Sequence, residues 1–174
     1  MEFELLGWPP DGPKLRLDYR EFRYAGKFVM TSTGKAVVRD GGDVVGAVAF
    51  DDDRVDTDAL RVRYVTVRDD QRGRGIGPRL LAFVSERAGQ RGYDRVRIAV
   101  NNPFAYEAAW KAGFGYTGER TGIAELVCQR PGDRSPERYR AGLDAYRERD
   151  LSAPETAFLD EREGADPPAL VDAP

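Results

Sequence analysis

The chain contains no histidine and a single cysteine, Cys128. Without histidine, the serine–histidine and cysteine–histidine nucleophile systems cannot be built. Cysteine–histidine zinc clusters are excluded as well, and we predict no metal site. A lone cysteine has no partner for a disulfide within the chain, and we expect Cys128 to be a small buried residue. These absences remove many common enzyme mechanisms.

Long apolar runs are also missing. No stretch approaches the roughly 20 apolar residues that a membrane-spanning helix needs, and MEFELLGWPP at the N-terminus lacks the features of a signal peptide. The net charge of −3 provides no general attraction to nucleic acid or to an anionic membrane. We therefore predict a cytoplasmic protein without nucleic-acid or membrane partners.

The length of 174 residues allows one sizeable core. Glycine and proline interrupt the first 30 residues, where we expect only a short strand at Leu15–Tyr19 and a helical turn or two within 21–28. From Lys35 the pattern sharpens. Residues 35–40 and 43–50 flank Gly41-Gly42 and predict a hairpin, and Leu60–Arg68 predicts a third strand.

Two helices alternate with strands in the next segment. Residues 78–92 have apolar residues at helical spacing and end in Gly92, and residues 102–114 form a second helical pattern that ends at Gly113. Strands are predicted at residues 94–101 and at Thr121–Gln129. A hairpin followed by alternating strands and helices indicates a mixed α/β sheet.

A further helix is predicted after Ser135, because Ser-Pro-Glu is a strong helix start. It places Tyr139, Leu143 and Tyr146 on one face, and we expect this face to be covered by the domain or by a second copy in a homodimer. We assign residues 131–151 to a C-terminal helical extension. Residues 152–174 have the composition of a linker, and we expect a mobile tail.

The stretch QRGRGIGPRLL, residues 71–81, joins a glycine-rich loop to a helix. Backbone N–H groups at such a helix start bind phosphate, and the glycines let the ligand approach. A Walker A loop is excluded because Pro78 follows Gly77, and a dinucleotide fingerprint is excluded by the Gly-x-Gly-x-Gly spacing. The remaining interpretation is the pyrophosphate loop of coenzyme A acyltransferases.

Several elements, in order, resemble the GNAT superfamily of N-acetyltransferases. The family's Arg/Gln-x-x-Gly-x-Gly/Ala loop is matched by Arg72-Gly73-Arg74-Gly75-Ile76-Gly77, which follows a strand ending in Val65-Thr66-Val67. Asn102-x-x-Ala105 and Lys111-Ala112-Gly113-Phe114 match the family's second helix signature. The resemblance is clearest over residues 35–130.

The resemblance implies an α/β fold of GNAT type. Its sheet is mixed and mostly antiparallel, with two splayed central parallel strands and flanking helices. Those strands would be Arg61–Val67 and Asp94–Asn101. Residues 1–130 would form the acetyltransferase domain, followed by the helical extension.

The same resemblance implies transfer of an acetyl group from acetyl-CoA to a primary amine, by direct attack in a ternary complex. The acceptor would be a small molecule or a peptide. Backbone groups of Val65 and Val67 would pair with the pantetheine arm, and Arg72–Gly77 would hold the pyrophosphate. Asn102 would hold the arm or simply cap its helix. The alternative is a non-catalytic module that binds or senses acetyl-CoA or CoA.

The catalytic side chains depart from the family pattern. The usual tyrosine acid falls at Ala109, three residues after Tyr106, and the usual acidic strand position is Arg61. Tyr106 is our candidate acid, although packing against Trp110 explains it equally simply. Glu125 is the candidate base, or an exposed strand residue.

Arg61 and Arg63 alternate along the third strand. They would bind an anionic acceptor, or pair with Asp56 and Asp58 nearby.

Overall fold

The computed structural model describes residues 1–122 and 124–174. Its contacts divide the chain into two compact units, Met1–Val96 with Val171–Pro174, and Arg97–Leu170. Strand β5 (Arg95–Val100) runs across the boundary. In the described residues, no helix combines the length and the apolar character needed to cross a membrane.

The first unit is an antiparallel sheet with one long helix. Its strands pair in chain order, and helix α1 packs against them; the elements are β1 (Glu2–Gly7), β2 (Gly34–Asp40), β3 (Asp43–Asp52), β4 (Ala59–Val67) and α1 (Ile76–Arg91). Ile76 packs with Val38 and Val45 on one face of this sheet. Phe28 packs with Val37, Ala47 and Ala49 in a separate cluster. Both sides of the sheet are therefore covered.

The β2–β3 hairpin confirms the glycine-turn prediction. Gly41 and Gly42 have φ values of 58° and 91°, the left-handed conformation that two-residue hairpin turns require. Helix α1 ends as predicted, with Gly92 as its C-cap at φ 108°. The conformational freedom of glycine therefore predicted both the hairpin turn and the end of the helix.

The N-terminal prediction was wrong in its main element. No strand forms at Leu15–Tyr19 among the described residues; Leu15 and Leu17 instead pack against the Phe28 cluster from an irregular segment. The strand in this region is β1, which ends before Pro9 and pairs with β2. The helical turn expected within 21–28 forms as a 3₁₀ helix at Ala25–Val29.

Lys35 in β2 is completely buried. Its Nζ donates hydrogen bonds to the carbonyl oxygens of Met30 and Thr33, the latter at 3.1 Å. Burial lowers the pKa of this ammonium below its usual value.

The second unit combines three strands with three helices. Its elements are the greater part of β5, α2 (Pro103–Lys111), β6 (Gly115–Thr121), β7 (Glu125–Arg130), α3 (Pro136–Arg147) and α4 (Ala153–Glu161). The strand order is β5-β7-β6, and β6 and β7 are antiparallel. With the first unit, this confirms the mixed α/β class with mostly antiparallel pairing.

The last predicted strand was misplaced at its start. Thr121 ends β6, and β7 begins only at Glu125, so Thr121–Gln129 combines parts of two strands with their turn. Ile123 of that prediction lies outside the described residues. Strand β6 escaped prediction because Gly115 and Gly118 weaken its strand pattern.

Helix α3 begins after the Ser135 cap, as predicted. Its stripe of Tyr139, Leu143 and Tyr146 is buried within this chain. The stripe therefore needs no second subunit to cover it, and the homodimer stays a prediction.

The expected linker-like tail contains helix α4. Ser152 and Glu155 form a reciprocal capping box at its start. The Phe158 ring lies 4.7 Å from that of Phe104 in α2, and Arg162 lies 3.5 Å from the Glu107 carboxylate. These contacts hold α4 against α2.

Candidate functional site

The glycine loop lies between the end of β4 and the start of α1. A short 3₁₀ turn at Asp69–Gln71 leads into it, and Gly73 and Gly75 have φ values of 80° and 76°. A Cβ at either glycine would meet nothing within 4 Å. The glycines are therefore required by backbone conformation, and the space above them is open to a ligand.

Gly77 does not share the positive φ of Gly73 and Gly75. Helix α1 already begins at Ile76, because the buried Ile76 side chain fixes this turn against Val38 and Val45. Pro78 is tolerated in the first turn, where its missing N–H has no helical partner. Gly75 is thus the N-cap residue of the helix.

Backbone N–H groups are the main polar feature of this loop. Within the part of the chain that the structure describes, none of the backbone hydrogen bonds outside regular elements is donated by residues 72–77. The first helical bond is that of the Arg79 N–H to the Gly75 carbonyl, at 3.2 Å. Unpaired N–H groups at the positive end of a 16-residue helix can bind an anion.

Arginines surround the loop in exposed polar contacts. Arg68 lies 2.6 Å from Asp70, Arg72 pairs with Asp69, and Arg74 lies 2.6 Å from the Gln71 side-chain oxygen. The hydrogen bond from Arg68 lowers the pKa of Asp70. Exposed pairs of this kind contribute little to stability, so an incoming anion can replace them readily.

Strand β4 has a bulge at Arg63. Ala49 of β3 pairs with Tyr64 and Phe50 pairs with Val62, which leaves Arg63 as the extra residue. Bulges of this kind redirect side chains and interrupt regular pairing. The Arg63 guanidinium binds Asp51 at 2.9 and 3.0 Å. This pairing replaces the predicted one with Asp56 or Asp58.

Asp56 instead pairs with Arg95, and the main-chain carbonyl of Asp58 accepts a 2.8 Å bond from the Asp94 N–H. Val65 and Val67 follow the Arg63 bulge, opposite Val48 and Gly46. Both side chains are half-buried. Val65 and Val67 therefore lie along the chain between the Arg63 bulge and the glycine loop, and their pairing with a pantetheine arm stays a prediction.

Asn102 is the N-cap of α2. Its side-chain oxygen accepts a 2.8 Å bond from the Ala105 N–H, and its amide donates to the Asn101 side chain at 3.1 Å. The capping alternative is therefore confirmed. A contact with the pantetheine arm stays a prediction.

Tyr106 lies in the interior of the second unit. Its hydroxyl donates a 2.9 Å bond to the Tyr139 carbonyl, and its ring lies 5.9 Å from that of Trp110. Burial raises the pKa of this phenol well above its usual value. These contacts favour the packing interpretation, because a buried and engaged hydroxyl is not presented to a substrate.

Glu125 is half-buried at the start of β7. Its carboxylate accepts a bond from the Thr121 hydroxyl at 3.3 Å, across the β6–β7 turn. Its role as a base stays a prediction. Cys128 is buried, and burial raises the pKa of its thiol to about 12, which makes it unreactive at neutral pH.

Sequence reasoning missed the contact between the Asp69 N–H and the Glu21 carbonyl, at 2.9 Å, which joins an N-terminal segment to the glycine loop. It also missed the exposed ring of Tyr24 beside Tyr64, 5.7 Å between centroids. No local pattern predicts either contact. Among the described residues, no group of three or more histidine, cysteine, aspartate or glutamate side chains is arranged to hold a metal ion.

Comparison with known proteins identifies the family of the chain. The model of the acetyltransferase (GNAT) family matches residues 2–114, more than half of the chain. The chain therefore belongs to the GNAT family of acetyltransferases, which are acyltransferases. No curated protein sequence matches the chain significantly.

Solved structures with the same fold include an IAA acetyltransferase from Bacillus cereus ATCC 14579. It is 18% identical, with a TM-score of 0.56 over 74% of this chain and 97% of that chain. A Bacillus subtilis acetyltransferase in complex with CoA is 15% identical, with a TM-score of 0.56 over 73% and 95%. At these identities the similarity establishes the fold alone.

Proposed function

We propose that this protein transfers an acetyl group from acetyl-CoA to the primary amine of a small-molecule or peptide acceptor. The observation that carries the proposal is the loop at Gly73 and Gly75. Two left-handed glycines leave open space above a run of N–H groups at the start of α1. Such a cradle fits a pyrophosphate, which needs close approach to the backbone.

The remaining residues of the loop fit the same ligand. Arg72 and Arg74 are exposed beside it, with partners that a phosphate can replace. Ile76 and Gly77 supply first-turn N–H groups of α1. The bound CoA of the Bacillus subtilis neighbour is consistent with this assignment.

Strand β4 would hold the rest of the cosubstrate. Backbone groups of Val65 and Val67 would pair with the amide groups of the pantetheine arm, and Asn102 would contribute from the start of α2. Acetyl-CoA supplies the activated acyl group as a thioester. The protein would orient the acceptor amine for direct attack in a ternary complex, and proximity alone gives a large rate advantage.

Glu125 is retained as the candidate base, whereas Tyr106 is assigned to the core. A second candidate function is a module that binds acetyl-CoA without turnover. The buried hydroxyl of Tyr106 favours it, because that residue was the candidate acid.

Titration calorimetry with acetyl-CoA tests the loop. Gly75→Val places a branched side chain in the open space and should weaken binding more than tenfold, which corresponds to about 1.4 kcal/mol or more. Gly41→Val is the matched control, because Gly41 also has positive φ and open surroundings but lies in the β2–β3 turn. Equal affinities of a folded Gly75→Val protein and the control would overturn the assignment.

Release of free CoA over a panel of amines then separates the two functions. Acetyl transfer releases one CoA for each acceptor modified. Tight binding of acetyl-CoA without release in the presence of any amine would favour the binding module.

A further inference from the structure

Residues 15–28 form a closed loop on the first unit, which we call the 15–28 loop. The Leu15 N–H donates to the Phe28 carbonyl at 2.9 Å and joins its two ends. Phe22, Ala25 and Phe28 are buried and anchor it. Compact loops with joined ends and their own packed side chains are frequently functional.

The 15–28 loop is attached to the proposed cosubstrate site. The Asp69 N–H, in the turn that leads into the glycine loop, donates to the Glu21 carbonyl at 2.9 Å. Asp18 orders the preceding turn, since its carbonyl accepts from the Phe22 N–H at 3.0 Å. The loop is therefore held in place beside the end of β4.

Tyr24 has an unusual backbone conformation within this loop. Its φ is 61°, and it is the one non-glycine residue with positive φ in the described chain. Bulky residues rarely adopt this conformation, and when they do it often marks a functional position. The Tyr24 side chain is 52% exposed, and its ring lies 5.7 Å from that of Tyr64. Together the two rings offer an aromatic surface.

Positive charge lies next to this aromatic pair. The Lys27 ammonium lies 5.8 Å from the centre of the Tyr64 ring. Arg63 precedes Tyr64, and its contact with Asp51 balances one charge. This part of the first unit therefore favours an anionic group over an additional cation.

The position of Tyr64 links this surface to the acetyl transfer. Tyr64 lies between the Arg63 bulge and Val65, where the proposed function places the pantetheine arm. A molecule bound by Tyr24 and Tyr64 would therefore lie beside the acyl end of that arm. This step rests on the proposed function.

We propose that the acceptor is an amine that carries both an aromatic ring and a carboxylate, as aromatic amino acids do. Its ring packs on Tyr24 and Tyr64, because aromatic pairs gain from stacked or edge contacts. Its carboxylate pairs with the Lys27 ammonium. Polyamines, which carry only positive charge, are disfavoured by the same groups.

Calorimetry on the protein saturated with CoA tests the proposal without requiring turnover. The panel is phenylalanine, phenylethylamine without the carboxylate, alanine without the ring, and spermidine. We expect phenylalanine to bind at least tenfold more tightly than each of the others. Equal binding of phenylethylamine, tighter binding of spermidine, or no binding of any ligand in the panel would overturn the proposal.

Two variants, each with a control variant, assign the contacts. Lys27→Met should remove the preference for phenylalanine over phenylethylamine, whereas Lys14→Met, at an exposed lysine just outside the 15–28 loop, should not. Tyr24→Gly removes the ring and adopts φ 61° without strain, so the protein should fold and bind phenylalanine at least tenfold more weakly. Tyr19→Ala is its control, because Tyr19 is 82% exposed.

Acetyl-CoA affinity, measured separately, keeps the two proposals apart. Normal acetyl-CoA binding without the aromatic-carboxylate preference overturns only the acceptor proposal. If the wild-type protein does not bind acetyl-CoA, the proposed function itself is overturned.

Discussion

The phenol of Tyr106 in α2 donates a 2.9 Å hydrogen bond to the main-chain oxygen of Tyr139 in α3. Both side chains are buried, and their rings stack at 5.9 Å. The bond therefore joins two helices through the interior of the second unit. A tyrosine in this setting stabilises the fold, and its ring can stay in place without the hydroxyl.

Tyr106→Phe is accordingly expected to lower the free energy of unfolding by about 1–2 kcal/mol, because a buried carbonyl loses its donor. The kcat of acetyl transfer should stay within about twofold. Denaturant unfolding and steady-state kinetics on the same preparation measure both quantities. A tenfold or larger fall in kcat with unchanged stability would instead support the acid role, since general acid catalysis typically contributes about 10²–10⁴.

Gly142 in α3 allows the close approach of that same phenol. A Cβ on Gly142 would lie 2.1 Å from the Tyr106 hydroxyl oxygen and 2.2 Å from its Cζ. Gly142→Ala should therefore destabilise the protein by about 1–3 kcal/mol, although alanine favours helices by about 1 kcal/mol.

Gly89→Ala is the matched control for Gly142→Ala. Gly89 lies in α1, and a Cβ there meets nothing within 4 Å. This variant should stabilise the protein by about 0.5–1 kcal/mol. Thermal melts should thus shift in opposite directions, and an increase for both variants would contradict the packing of Tyr106 against α3.

Arg162 connects the end of α4 to a nearly buried carboxylate. It lies 3.5 Å from Glu107, which also accepts a 2.6 Å bond from the Tyr139 hydroxyl. Arg162→Ala should lower the free energy of unfolding by about 1–3 kcal/mol, because the buried Glu107 side chain loses one of its two partners. Glu163→Ala, at the adjacent exposed residue, should change it by less than about 0.5 kcal/mol. Equal unfolding midpoints of the two variants would mean that α4 is not held by this pair.

Alkaline pH should unfold the protein through its buried phenols. Burial raises the pKa of Tyr106, Tyr139 and Tyr146 above the usual value near 10. Their contribution to stability is complete below pH 10 and is lost as pH rises from 10 toward the folded-state pKa. The loss is about 1.4 kcal/mol per pH unit for each phenol, because only the unfolded chain ionises there.

Absorbance at 295 nm, recorded together with far-ultraviolet circular dichroism, follows this transition. We expect these tyrosines to ionise only as the helical signal disappears. Complete ionisation of all eight tyrosines near pH 10, with a native dichroism spectrum, would be incompatible with their burial.

The elements that sequence reasoning located are those with local chemistry. Gly41-Gly42 requires a left-handed turn wherever it occurs between strands, and Ser135 caps a helix through its own side chain. The glycine loop belongs to the same group, because Gly73 and Gly75 adopt a positive φ that glycine accommodates readily. Its position after β4 followed from the order of the elements.

The structural features that the sequence did not predict have a different origin. Helix α4 carries a clear signal in Ser152 and Glu155, but the surrounding composition is that of a linker and concealed it. The bulge at Arg63 depends on how β3 and β4 align, and the positive φ of Tyr24 depends on packing around the 15–28 loop. Such features come from contacts between distant residues, which local patterns do not contain. The same holds for the burial of Tyr106.

The burial of Lys35 has a consequence for chemical labelling. The chain has four lysines, of which Lys14 and Lys27 are exposed, while the Lys35 amine is enclosed by two carbonyl groups. Acylating reagents, including acetyl-CoA reacting without catalysis, will modify the exposed amines first. Lys35 becomes reactive only when the chain at Met30–Thr33 opens. The extent of its labelling therefore reports how often this part of the first unit opens.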